Sequence, residues 1–149
     1  GWRIFHACDS NFRGIVSVTE SFFPYLPHED SVSAHFWQAT RKKELHIQFC
    51  EKCEIFQWYP RSVCISCGRS SISWRKISGR AHIDSWSEVH RAPQDGFVPP
   101  YVISRVLLEE KVLFLTRLVG ETAIAPQCDS PVTLTWQELS DGRALPVFE

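Results

Sequence analysis

The chain divides by the spacing of its apolar positions. Residues 1 to 28 show no strong period, and within them Phe22-Phe23-Pro24-Tyr25-Leu26-Pro27 reads as an extended apolar arm, because two prolines forbid a helix there. From residue 31 to 43 the spacing turns helical. Val32, Phe36 and Ala39 or Thr40 mark one face with Trp37 adjoining, and Asp30 or Ser31 stands where a cap belongs. Residues 44 to 48 then read as a strand. Past residue 70 the pattern is that of strands to the end, near 72–78, 80–90, 101–108, 112–119 and 132–139, with a short tail strand through Val147-Phe148. Gly79, Gly96 and Gly120, with Pro93, Pro99, Pro100 and Pro131, punctuate them. Five or so strands over about 75 residues, with no helical spacing between them, predict a small closed barrel; an OB-type Greek key is the natural size match. The fold class expected is mainly β.

Between the helix and the strand-rich half stand two knuckles, Cys50-Glu51-Lys52-Cys53 and Cys64-Ile65-Ser66-Cys67, ten residues apart. Each knuckle turns two sulfurs to one side of a tight turn, so one tetrahedral ion can take all four. The spacing is that of a zinc ribbon, somewhat tighter than the common form. Four protein ligands close the coordination sphere, which makes the zinc structural. A lobe this small buries too little surface to offset its chain entropy, and zinc binding, on the order of 10–16 kcal/mol in finger peptides, would hold it folded. The competing readings are two disulfides, reduced cysteines packed as small apolar groups, or iron in a rubredoxin-type site. The iron pattern favours glycine after both knuckles; Gly68 follows the second, but Glu54 follows the first. A left-handed Glu54 would cost on the order of 1–2 kcal/mol.

Composition bounds the rest. At 149 residues, 44% hydrophobic and 13% aromatic, the chain has enough apolar material for a real core and too much for a disordered one. No apolar run approaches the length of a membrane span, and no basic-then-apolar leader is visible. Cys8 and Cys128 read as thiols outside the metal set, and a reducing cytoplasm is the expected compartment. The net charge of −1 hides an asymmetry: from residue 41 to 80 nine Lys or Arg face three Glu, so the remainder is acidic. That implies either an anionic partner near the ribbon or a solvated basic face. The run Arg41-Lys42-Lys43 has a local reason as well, since cations suit the C-terminal end of a helix. Nucleic acid is the alternative function, with Trp74, Trp86 and Tyr101 as the stacking aromatics it would use.

No G-x-S-x-G, phosphate-binding glycine loop or H-E-x-x-H occurs. His82, Asp84 and Glu88 are separated by even steps along one strand, so they are expected on one face, as a polar outer surface or an acid–base set. Cys128 has no evident histidine partner, and His90-Arg91 reads as a strand end with some capacity to meet a phosphate.

The order of motifs resembles the acyl-CoA-associated OB-fold family, long classed as of unknown function, whose members join a rubredoxin-like zinc ribbon to a C-terminal OB domain. An arm ending in Leu-Pro, a helix with Phe36-Trp37, the strand Glu44-Leu45-His46-Ile47-Gln48 and a four-cysteine ribbon with Pro60-Arg61 come first. Gly79, Val89-His90-Arg91-Ala92-Pro93, Gly96-Phe97, Pro100-Tyr101-Val102 and Pro146-Val147-Phe148 follow, so the likeness covers roughly residues 24 to 148. Four turns depart from the family pattern. Glu54, Lys111 and the Asp129-Ser130 region stand where glycine is usual, and Ile65 replaces a proline. The organisation expected is an N-terminal arm and helix (1–43), zinc ribbon (44–72) and OB domain (73–149). The resemblance implies an accessory subunit without catalysis of its own, docked on a thiolase-fold enzyme, with a synthase or hydratase as a further subunit. Such proteins help hold or channel an acyl-CoA. Phe97 and Tyr101 are then the candidate wall for pantetheine or acyl chain, and Arg61 the candidate cation for CoA phosphates.

Overall fold

The computed structural model of the protein describes residues 26–93 and 97–149; the arm at 22–25, Cys8 and Gly96 lie outside them. Asp30 is the cap. Its Oδ1 accepts from the Val32 and Ser33 N–H groups at 3.1 and 2.7 Å and stabilises a turn that leads into α1, Ala34–Thr40. The helix is shorter than its apolar spacing suggests, because residues 31–33 and 41–43 are turns and Lys43 is left-handed, with φ +56°. Its buried face carries Phe36, Ala39 and Thr40.

The basic run that follows does not sit on the helix's last turn. Arg41 donates to the Asp141 carbonyl at 2.7 Å, and Lys43 lies 2.7 Å from Glu138. These cations clasp the far end of the chain.

Three strands make the first sheet: β1 (His46–Cys50) in the centre, flanked antiparallel by β2 (Ile55–Gln57) and β3 (Ile72–Lys76). Five more close a barrel: β4 (Arg80–Val89), β5 (Tyr101–Leu108), β6 (Leu113–Leu118), β7 (Pro131–Glu138) and β8 (Ala144–Phe148), in the order β4-β5-β6-β8-β7. The exchange of the last two strands is the Greek-key step of an OB barrel. A short helix, α2 (Gly120–Ile124), bridges β6 and β7 and buries Ala123. Five residues are too few to show a helical period, so the sequence pattern gave no sign of it.

Besides Lys43, glycine would suit three further positions held by other residues. Glu54 (φ +54°), Lys111 (φ +63°) and Asp129 (φ +63°) all adopt the left-handed conformation. The backbone has kept the turn where the residue type departs.

Between Ile83 and Ser85 the β4–β5 register slips by one residue, a β-bulge at Asp84. The bulge reverses the phase of β4. Ala81 and Ile83 point inward before it; Trp86 and Glu88, paired with Ser104 and Val102, point inward after it. Even spacing therefore does not put His82, Asp84 and Glu88 on one face. His82 and Asp84 are exposed, Asp84 pairs with Arg105 at 2.6 Å, and Glu88 turns to the other side.

A single core runs through both lobes. Phe36, Leu45 and Ile47 belong to the same buried cluster as Ile83, Val106, Phe114 and Phe148. Trp58 is the bridge, its ring 4.9 Å from Phe36 on one side and 4.9 Å from Phe114 on the other. Where β3 turns into β4, Gly79 (φ +76°) passes so close to β7 that a Cβ there would lie 2.7 Å from the Leu134 Cβ.

Two substitutions test this account by denaturant unfolding of zinc-loaded protein. Gly79→Ala combines the left-handed penalty with a backbone-level clash and should cost about 2–4 kcal/mol. Lys111→Gly relieves the same penalty in open solvent and should stabilise by roughly 0.5–1 kcal/mol, since the freer unfolded chain offsets part of the gain.

Candidate metal centre

Two strand ends and two loops bring the cysteines together. Cys50 closes β1, and the chain turns back at once: the Glu54 N–H donates to the Cys50 carbonyl at 2.8 Å. The second knuckle repeats the turn, with the Gly68 N–H on the Cys64 carbonyl at 3.0 Å. The four Sγ atoms lie within 4.8 Å of one another, and Cys50 Sγ is 3.9 Å from Cys67 Sγ. A tetrahedral zinc with sulfur at about 2.3 Å needs sulfurs about 3.8 Å apart, so the cluster fits that ion with small adjustments. Backbone N–H groups also aim at the sulfurs, from Cys53 to Cys50 at 3.5 Å and from Ser66 to Cys64 at 3.3 Å. Such donors favour thiolate over thiol. Backbone donation from Cys67 and Ser66 draws the Cys64 thiol down to about 7, whereas hydrogen bonding with Cys67, then burial, pushes Cys53 up to about 12. Cys50 and Cys64 are buried; Cys53 and Cys67 are half-buried. This is not the geometry of two disulfides, since each of the four is a separate thiol.

What holds the second knuckle is a pair of side chains the sequence reading passed over. Gln48 and Gln57 are 4% and 1% exposed on paired positions of β1 and β2. Gln48 Oε1 accepts from Gln57 Nε2 and from the Arg61 N–H, both at 2.9 Å, while Gln48 Nε2 donates to the Arg61 carbonyl at 2.9 Å. Gln57 Oε1 accepts from the Ile65 N–H at 3.0 Å, and its Nε2 also reaches the Val63 carbonyl at 3.2 Å. The two amides stand in for a missing strand along the loop. The available signal was a glutamine in each of two apolar strand patterns beside the knuckles.

Arg61 itself is exposed. It lines an open cleft of about 260 Å³ with Ser31, Gln48, Ser70 and Trp74. Phe97 and Tyr101 lie on the barrel with ring centroids 6.1 Å apart, and the Arg117 guanidinium stands 5.4 Å from the Tyr101 centroid. The contacts described for Arg61 thus belong to ribbon and helix, and those of the aromatic pair to the barrel. Trp74 stacks on His35 at 4.9 Å and 16°. Trp74 and Trp86 are both half-buried against the core, Trp86 through the bulge's change of phase, so neither is a free stacking platform. Cys128 is exposed in the turn before β7, and His90 is exposed with Glu88 at 3.4 Å.

The basic segment is largely occupied. Of its nine cations, Arg41, Lys43, Arg75, Lys76 and Arg80 already meet a carboxylate or carbonyl. Among the described residues no helix is long and apolar enough to cross a membrane.

A four-cysteine ribbon fused through one core to an OB barrel defines the class of this protein. The chain belongs to the ChsH2 family, matching its rubredoxin-like zinc ribbon domain over residues 37–73 and its C-terminal OB-fold domain over residues 74–137. Among solved structures, a chain of the "Ltp2-ChsH2(DUF35) aldolase" is 29% identical with a TM-score of 0.75, the match covering 83% of this chain and 97% of that one. A DUF35-family protein of unknown function from Sulfolobus solfataricus shares the fold, with 16% identity, TM-score 0.55 and coverage of 70% and 77%. A protein of Thermomonospora curvata named "Probable enoyl-CoA hydratase alpha subunit" is 31% identical over 118 residues, 78% of this chain. This chain spans only 36% of that relative's length.

Two measurements probe the centre. Cys64→Ser should drop bound metal well below one ion per chain by elemental analysis and abolish the ribbon's share of the thermal transition, while Cys128→Ser retains full occupancy. Gln57→Leu leaves the Ile65 N–H and Val63 carbonyl unmatched and should cost about 2–4 kcal/mol by denaturant titration, with metal still bound.

Proposed function

We propose that the protein is a non-catalytic accessory subunit of a thiolase-like acyl-CoA enzyme complex, in which its ribbon and barrel dock on the enzyme and help bind the acyl-CoA. One observation carries the reading: the chain is similar along 97% of the length of a chain from a solved aldolase assembly, in both ribbon and barrel. The hydratase name of the Thermomonospora relative supports a hydratase as a further subunit or fused neighbour. Cys50, Cys53, Cys64 and Cys67 would hold one structural zinc. A sphere closed by four sulfurs leaves no position for substrate, so the metal supports the fold rather than the chemistry. Four cysteines kept reduced suit the cytoplasm.

The acyl-CoA contacts are proposed at Arg61, beside Trp74 in the ribbon cleft, and at the Phe97–Tyr101 pair on the barrel. The division into arm and helix (1–43), ribbon (44–72) and OB domain (73–149) goes with that reading, its second boundary falling in β3, which pairs with β1 of the ribbon along its whole length. Nucleic-acid binding is the weaker alternative, because most cations of the basic segment are spent on internal partners and Trp86 is turned inward.

The test is co-expression with the thiolase-like subunit from the same genome, purified at low salt through a tag on this chain. Co-elution, with loss of acyl-CoA turnover when this chain is omitted, is the expected result. A lone monomer that turns over an acyl-CoA overturns it. In the complex, Arg61→Ala and Tyr101→Ala should each weaken a CoA thioester about tenfold by calorimetry, as loss of a charge-assisted or stacking contact implies; unchanged affinity in both removes these residues from the site.

A further inference from the structure

The outer wall of the β5–β6 hairpin is apolar where a free-standing barrel would be polar. Because side chains alternate along a strand, Ile103, Arg105 and Leu107 face out from β5, and Leu113, Leu115 and Arg117 from β6. Leu107 pairs with Leu113, and these two are 37% and 42% exposed; Leu115, across from Arg105, is 57% exposed. Three leucines in one exposed row are a contiguous patch, not scattered surface residues.

The charges around the patch say what kind of surface covers it. Arg105 has Asp84 at 2.6 Å, and Arg80 has Glu109 at 2.7 Å, so the neighbouring arginines and carboxylates neutralise each other. Arg117 differs. Its guanidinium stands 5.4 Å from the Tyr101 ring centroid, and its Nε is buried with no hydrogen-bond partner. Burial disfavours the cation there and lowers its pKa. A desolvated guanidinium at the end of a leucine row calls for a carboxylate from outside. A second copy of this chain is a poor source. Its own wall would present Arg117 again, and the acids beside it, Asp84 and Glu109, are already engaged.

We propose that the outer β5–β6 wall, with Leu107, Leu113, Leu115 and Arg117, is the docking face for a different protein subunit, one presenting apolar side chains around a carboxylate. This rests on the accessory-subunit reading and assigns the face by which the enzyme subunit is held. The leucines supply the desolvated centre and Arg117 the charged anchor, the usual division in a protein interface.

The experiment uses the full chain with the co-expressed thiolase-like subunit. Leu115→Glu and Arg117→Gln are compared with Ile65→Glu, which alters an equally exposed apolar residue (60%) on the ribbon. Metal content and melting of each variant alone are recorded first; Leu115 is open to solvent and Gln keeps most of the Arg117 stem, so folding should be retained. Leu115→Glu should weaken the complex at least twentyfold and Arg117→Gln about tenfold, as truncation of interface anchors does. Ile65→Glu should bind like the wild type. Loss of binding in Ile65→Glu alone, or wild-type affinity in both barrel variants, overturns the assignment while leaving the accessory role intact. A wild-type chain that never binds the enzyme subunit sinks the accessory reading and this inference together. A wild-type dimer in light scattering that Leu115→Glu converts to monomer overturns it in favour of self-association.

Discussion

The structure depends on the stack of Phe36, Trp58, Phe114 and Phe148, which makes one core out of helix, ribbon and barrel. Rings about 5–6 Å apart are worth more than their buried area alone, and here each step of the stack crosses an element boundary. Neither lobe is large enough to be comfortable by itself: the ribbon has three short strands, and the barrel has five. Trp58 lies in the loop between the two knuckles, so the segment that positions the second pair of sulfurs is also the one that packs on the barrel. Metal site and barrel are therefore coupled through this loop as well as through the shared core. The clasp of Arg41 on the Asp141 carbonyl and Lys43 on Glu138 repeats the connection on the surface.

Much of this was legible, and the reasons differ by element. β5 runs from Tyr101 to Leu108 as its alternation predicts, because both its edges are paired and its inner face is buried throughout. The four sulfurs converge because a knuckle is local: a turn of four residues needs nothing from the rest of the chain. The resemblance to a ribbon-and-barrel family also held over both halves. Where the reading missed, a non-local or phase-shifting feature intervened. The bulge at Asp84 inverts the second half of β4, which no periodic rule anticipates, and it separates Glu88 from His82. The basic run after α1 was explained by a dipole but is used by partners about 100 positions along the chain. α2 is too brief to be seen, and the glutamine pair looks like ordinary strand composition until the loop beside it is known.

The left-handed residues show how a backbone outlasts the residue best suited to it. Glu54, Lys111 and Asp129 each occupy a conformation that glycine takes without cost, and each stands at a turn that sets the register of the next strand. Changing the conformation would move a strand, and changing the residue costs only about a kcal/mol. The smaller loss is the one the chain carries.

The Gln48–Gln57 pair has a consequence for how the metal arrives. Because two buried amides already hold the Arg61, Val63 and Ile65 backbone, the loop bearing Cys64 and Cys67 is in place by hydrogen bonding within the protein. An ion bound there would spend less of its binding energy on ordering that loop. The first knuckle lies outside the brace, so an ion shared by all four sulfurs would be what fastens the two turns to each other.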